Sequence, residues 1–291
     1  MDKYNVYQDM SRRTGGEIYL GIVGPVRTGK STFIKRFMEL VVIPEMSDDN
    51  EKVRTIDELP QSADGKTIMT TEPKFIPKEA AVIHFSNQET GKIRLIDCVG
   101  YLVPEAVGAI EEEKERMVKT PWSEEEIPFS KAAEIGTSKV IREHSNLGLI
   151  ITTDGSFGDI PAVNFEEALQ KTVMECEKAG KPFLILVNTS RPDSQETIQF
   201  TKRLEAQYGK TVMAVNCKTM DREDVFRIME QLLADFPITR LNFLLPKWVE
   251  FLQPDNWLKQ DLIEKCRNVI QKVPASEWNR PEYPSWYAPS V

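Results

Sequence analysis

The residues Gly24-Pro25-Val26-Arg27-Thr28-Gly29-Lys30-Ser31 spell G-x-x-x-x-G-K-S. No other feature narrows the possible folds so far, because the pattern has physical meaning only between a buried strand and a helix. Both flanks comply. Glu17–Val23 is apolar and rich in strand formers, and after the loop Phe33, Ile34, Phe37, Met38 and Val41 recur at helical spacing. Glycines at both ends let successive backbone N–H groups curl round an anion, and the helix start adds its dipole and unpaired donors. Such a loop cradles the phosphates of a nucleoside triphosphate. The candidate contacts are Gly24, Arg27, Thr28, Gly29, Lys30, Ser31 and Thr32, with Lys30 reaching the β- and γ-phosphates and the Ser31 hydroxyl on Mg²⁺.

The rest of the chain reads as an α/β domain. Further strands are expected at Ala81–Ser86, Lys92–Val99, Gly148–Thr153, Phe183–Asn188 and Thr211–Asn216. The later ones are near-continuous apolar runs, as in parallel sheets covered on both faces. Amphipathic helices are expected at Ser130–His144, Val163–Ala179, Ser194–Tyr208 and Asp221–Asp235. This alternation predicts a mostly parallel, doubly wound sheet. The short turn 87–91 makes one edge antiparallel. The stretches Val42–Pro77 and Pro104–Phe129 read as long loops, with the charge run Glu111–Glu115 as a solvated helix face. Past Pro237 a strand is expected within Ile238–Val249, then a helix at Trp257–Lys272 and an extended Pro- and aromatic-rich tail from Val273 to Val291. The domain division is thus 1–237, 238–272 and 273–291.

Composition removes several functional classes. A formal net charge of −8 argues against nucleic acid as a bulk electrostatic partner. Cys98, Cys176, Cys217 and Cys266 are scattered, and with only two histidines no zinc-binding spacing arises. A reducing, cytoplasmic setting follows. No apolar run reaches the ~18 residues of a membrane-spanning helix, and the N-terminus lacks a signal-peptide pattern.

Three segments bear on what is done with the triphosphate. Arg94–Gly100 is an apolar strand ending in D-x-x-G: Asp97 is the candidate support of the Mg²⁺ shell, and the Gly100 N–H a γ-phosphate contact. Thr70 and Thr71 lie in the loop between the phosphate-binding helix and that strand, where one of the two hydroxyls can complete Mg²⁺ coordination. Together with Lys30 and Asp97 they are the candidate catalytic residues. At the third segment, Leu186–Pro192, a GTPase carries N-K-x-D. Asn188 is present, but Thr189 replaces the Lys and Arg191 the Asp. An Arg offers only donors where guanine needs an acceptor. Tyr101 stands where small GTPases often carry a catalytic Gln.

At these residues the chain resembles the stage IV sporulation protein A family of spore-forming Firmicutes. The resemblance is carried by Arg13–Gly21, Asp57–Ala63, Gly65–Phe75, Leu95–Tyr101, Ala133–Thr137 and Ile151–Gly155, and runs to about Val249. It implies a translation-factor-related P-loop NTPase of the GTPase-like branch that uses ATP and Mg²⁺. Gly24–Ser31 corresponds to the family's Walker A, Asp97 to its Walker B carboxylate, and Thr70 and Thr71 to its sensor threonines. It further implies ATP-driven polymerisation into the basement layer of the spore coat, hence self-association and coat proteins as partners. The implied location is the mother-cell cytoplasm, peripheral at the outer forespore surface. Family members continue through a middle domain to a C-terminal region that docks there with a small membrane-bound anchor peptide. This chain runs to Val291, and its end is expected to lack that full portion. The alternatives are a GTP-binding regulatory switch and a truncated nucleotide-binding paralogue acting as scaffold or inhibitor.

Overall fold

The computed structural model describes residues 14–60, 72–84, 90–104, 110–111, 114–234 and 246–272. The chain divides into two compact units, Met1–Gln231 and Leu232–Val291.

The first unit is built on a six-stranded sheet. Its strands are β1 (Glu17–Val23), β2 (Lys74–His84), β3 (Thr90–Asp97), β8 (Leu147–Thr153), β9 (Phe183–Asn188) and β10 (Val212–Val215), in the order β10-β9-β8-β1-β3-β2. All neighbours are parallel except β2, which runs antiparallel to β3 on the edge. β8 and β9 are buried at every position, which is why their sequences lack the alternation of a half-exposed strand. The sheet is therefore mostly parallel with one antiparallel edge, as the chain pattern predicts.

Helices cover both faces. Successive β1 residues point to opposite sides. Val23 joins a core of Val140, Ile150, Val173, Ile185 and Val187, under α3 (Phe129–Lys139) with its π-helical extension Val140–His144, and α4 (Glu166–Ala179). On the other side α1 (Lys30–Phe37) packs on β1 and β3, with Phe33, Ile34 and Phe37 fully buried. Each such side chain contributes about 1.5–3 kcal/mol by leaving water. Local sequence sets the helix ends. The Ser194 hydroxyl accepts from Thr197 N at 3.2 Å to start α5 (Gln195–Tyr208), and Gly209 at φ 61 closes it. The last helix begun in this unit is α6 (Arg222–Ala234).

Four expectations change. Val42–Pro77 is not one long loop: α2 (Asp49–Glu58) forms there, and β2 begins at Lys74 rather than Ala81. Asp48 caps α2 by accepting from Asn50 N at 2.7 Å. At its described residues the charge run in Pro104–Phe129 is strand rather than helix. Ile110–Glu111 and Lys114–Glu115 (β4 and β5) pair antiparallel, with Glu111 the register partner of Lys114. A second small hairpin joins Met117–Thr120 and Ser123–Pro128 (β6 and β7). In the second unit, Lys247–Val249 is a 3-10 turn after Pro246, not the end of a strand, and residues 238–245 lie outside the described residues. The helix α7 (Trp257–Lys272) follows, while the tail 273–291 is outside the description.

Candidate nucleotide-binding site

Gly24, at φ 130, turns the chain sharply out of β1, and an added Cβ there would lie 2.3 Å from Ile151 O. Only glycine permits that approach. Arg27, at φ 62, is the one non-glycine residue with positive φ among the described residues. Such backbone costs energy and persists where surrounding structure holds it. Here the Thr28 hydroxyl donates to Pro25 O at 3.0 Å across the loop, and Val26 N donates to Tyr101 O at 2.9 Å. Below the loop, Val26 and Tyr101 pack with Val103, Ile160 and Phe165. Gly29, at φ 92, starts α1, and Lys30, Ser31 and the half-buried Thr32 form its first turn.

Lys30 is buried, and its ammonium donates to Pro25 O at 2.5 Å and Gly24 O at 3.3 Å. Burial pushes its pKa down, with the thiol of Cys98 and the carboxyl of Asp97 pulling it back up. β3 pairs with β1 so that Asp97 lies opposite Ile22. The Ser31 hydroxyl donates to Asp97 Oδ2 at 2.8 Å, while Asp97 Oδ1 is buried and has no hydrogen-bond partner among the described residues. Burial lifts the Asp97 pKa, against the Ser31 hydrogen bond and the Lys30 charge. Gly100, at φ 91, brings the D-x-x-G turn against the loop: an added Cβ would lie 1.9 Å from Gly24 O and 2.8 Å from Lys30 Nζ.

Asn188 sits on the other flank. Its Nδ2 donates to Thr28 O at 3.0 Å and its Oδ1 accepts from Cys217 N at 3.0 Å, so it braces the loop and the β10–α6 connection together. Cys98 is no nucleophile: buried beside Ile22 O, its thiol is pushed up to about 11 by desolvation.

A glycine-bounded turn out of β1, a buried lysine at the helix start and a serine–aspartate pair 66 residues apart in sequence have the form of a phosphate-binding site. A family model described as "Stage IV sporulation protein A, ATPase domain" matches residues 1–237. The chain belongs to the stage IV sporulation protein A family. The protein of that name from Bacillus subtilis (strain 168) is 47% identical over 273 residues, covering 94% of this chain and 56% of that protein. Those from Bacillus anthracis and Clostridioides difficile (strain 630) are each 46% identical, over 94% and 91% of this chain and 56% and 54% of theirs. The chain spans about half the length of these relatives. A solved structure of a chain named SsGBP aligns over 78% of this chain and 60% of its own at 14% identity with a TM-score of 0.41, too slight a likeness to carry weight.

Within the family's ATPase domain, the structure brings together Gly24, Arg27, Thr28, Gly29, Lys30, Ser31, Thr32, Asp97, Gly100 and Asn188. Thr70 and Thr71 lie outside the described residues. The donor set suits Mg²⁺: a hydroxyl and a carboxylate at hydrogen-bond distance, with one carboxylate oxygen still to be satisfied. One residue that motif reading passed over, Asp154, also matters here, through its pairing with Thr189. Asp154 and Thr189 join at 2.6 Å between the ends of β8 and β9, a pairing that emerges only from strand register. No helix among the described residues is long and apolar enough to cross a membrane.

Proposed function

We propose that this chain binds and hydrolyses ATP with Mg²⁺, and that its nucleotide cycle drives self-assembly of the basement layer of the spore coat. The observation that carries the ATPase reading is the meeting of Lys30, the Ser31–Asp97 pair and Gly100 around the turn out of β1. Lys30 binds the β- and γ-phosphates, the Gly100 N–H contacts the γ-phosphate, and Ser31 with Asp97 holds the cation, directly or through a water. Mg²⁺ there neutralises charge developing on the phosphate oxygens. Thr70 or Thr71 completes the cation shell and orients the attacking water. In support, Lys74 pairs with Asp97 at the start of β2. Thr71 and Thr70 precede Lys74 by only three and four residues, a reach of roughly 14 Å at most.

The assembly role, at the forespore surface of the mother cell with coat proteins and a membrane-bound anchor peptide as partners, rests on the family. Loss of the γ-phosphate frees the threonine loop, and the released surface pairs with the next copy in an open, non-closing array. Steady-state hydrolysis with ATP and GTP, followed by sedimentation, tests both parts. We expect ATP turnover well above GTP turnover, sedimentable polymer with ATP but not with a non-hydrolysable analogue, and a Thr70→Ala/Thr71→Ala variant that retains nucleotide without turnover. Wild-type turnover in that variant would remove the threonines from the chemistry. An active chain that stays monomeric would assign assembly to other parts of the relatives.

A further inference from the structure

The phosphate end of the site lies on the β3 side of β1, where Asp97 and Gly100 are. A nucleoside whose γ-phosphate sits there must leave the loop on the opposite side, past β8 and β9, which follow β1 in the sheet. The carboxyl ends of those two strands carry a polar set that phosphate binding does not use. Thr153 and Asn188 are register partners, so Asp154 and Thr189 face each other one residue beyond. Asn188 itself reaches Thr28 O, which puts this pair next to the loop.

The Asp154 carboxylate is held from both oxygens. The fully buried Thr189 donates its hydroxyl to Oδ2 at 2.6 Å, and Ser156 N donates to Oδ1 at 3.0 Å. Thr189 is fixed in turn, its oxygen accepting from Arg191 N at 3.2 Å and lying 3.5 Å from that of Thr197. Among the described residues no cation pairs with Asp154. A carboxylate has about four acceptor sites, so two remain open. By contrast Arg191, at the position from which a guanine-reading Asp would come, has a side chain 64% exposed and paired with Glu196 at 3.1 Å.

We infer that Asp154 reads the base: its carboxylate accepts a hydrogen bond from the exocyclic amine of adenine, with Thr189 as the positioning residue. Guanine presents two adjacent donors and needs both oxygens at once. Each oxygen already serves one protein donor and keeps one open site: adenine's amine needs one of the two, guanine's donors would fill both, and the GTP arm below separates these cases. The inference rests on the nucleotide-site reading above, but on neither hydrolysis nor assembly.

Calorimetric titration of the full chain with Mg²⁺ and a set of triphosphates tests it: ATP, purine riboside triphosphate (which lacks the amine), inosine triphosphate, GTP and inorganic tripolyphosphate. The wild type should favour ATP over the purine analogue about tenfold or more, the scale of one hydrogen bond to a charged acceptor. Asp154→Asn should erase that ratio and raise inosine triphosphate relative to ATP, because the new amide N–H₂ suits the O6 of hypoxanthine. Its tripolyphosphate affinity should stay at the wild-type level, which certifies the fold and the loop. Thr189→Val should shrink the ratio, and Thr189→Ser restore it. A ratio near one in the wild type, or one that survives Asp154→Asn, overturns the inference. So does a wild-type preference for GTP that Asp154→Asn abolishes, since that would give Asp154 to guanine. Failure of the wild type to bind any of the five would instead sink the nucleotide site itself.

Discussion

Gly100→Ala is the substitution whose consequence is most directly calculable. Gly100 has φ 91, and an added Cβ would lie 1.9 Å from Gly24 O, 3.1 Å from Gly24 C and 2.8 Å from Lys30 Nζ. Holding an alanine at positive φ costs about 1–2 kcal/mol. The overlap adds roughly 1–3 kcal/mol, because the obstacle is backbone that is itself bonded into the loop and cannot swing aside. The total is about 2–5 kcal/mol, or on the order of 10 °C in melting temperature for a unit of this size. Gly158 supplies the control: at φ 88 its backbone is nearly the same, but an added Cβ meets nothing within 4 Å. Gly158→Ala should therefore pay the conformational cost alone, a shift of roughly 2–8 °C. Melting followed by far-ultraviolet circular dichroism gives both numbers, and titration with ATP reports the loop. Gly100→Ala should also weaken ATP binding, since the new methyl displaces Lys30 Nζ, whereas Gly158→Ala should not. Equal melting shifts for the two variants would refute the claimed contact between the D-x-x-G turn and the phosphate loop.

Two further outcomes follow from the buried charges. Lys30→Ala should lower ATP affinity about a hundredfold, near 3 kcal/mol for a lost charge-assisted contact, and a calorimetric affinity close to wild type would put the phosphates elsewhere. Asp97→Asn should reduce turnover about a hundredfold or more while raising stability at neutral pH. Burial lifts the Asp97 pKa above its ordinary 3.8, so the stability tied to the protonated carboxyl is fully present below 3.8 and lost as pH rises through the folded value. Asn imitates the protonated form and keeps an acceptor for Ser31. The variant's melting advantage should therefore grow with pH across that window, and an advantage that shrinks would reverse the assignment.

The phosphate half of the site was legible because it is local. Gly24, Gly29 and Lys30 are spaced by the turn they make, and Asp97 ends a strand whose apolar run is visible by itself. The base half was not, because Asp154 and Thr189 are 35 residues apart in sequence and meet only through the register of two parallel strands. Aligning Leu186–Pro192 with N-K-x-D directs attention to Arg191, which the structure turns outward to Glu196. It also suggests exchanging Thr189 for Lys, although that position is fully enclosed and has no room for the longer chain. The missed helix α2 has a different cause. Its only apolar residues, Val53 and Ile56, are exposed and too few to mark a buried stripe, and the usable signal was Asp48 as a cap. In the run Glu111–Glu115, charge alone did not distinguish a solvated helix from a hairpin, because two-residue strands are too short to show a period.

Both buried charges at the centre of the site are shifted against stability. Lys30 is pushed towards its neutral form and Asp97 towards its protonated one, with desolvation the first cause of each. Apolar residues of similar size would serve the fold better, since desolvation exceeds what the neighbouring charge returns. The same holds for the positive φ of Arg27 and for glycines where an added Cβ would meet backbone. Strain and buried charge gathered around one loop mark a place shaped for a ligand rather than for folding. A dense anion with its cation reverses each penalty at once, restoring a counter-charge to Lys30 and a partner to Asp97 Oδ1. Ligand binding should consequently stabilise the first unit more than the contacts at the rim of the site would suggest, and the site's cost in the free protein becomes its selectivity for a bound triphosphate.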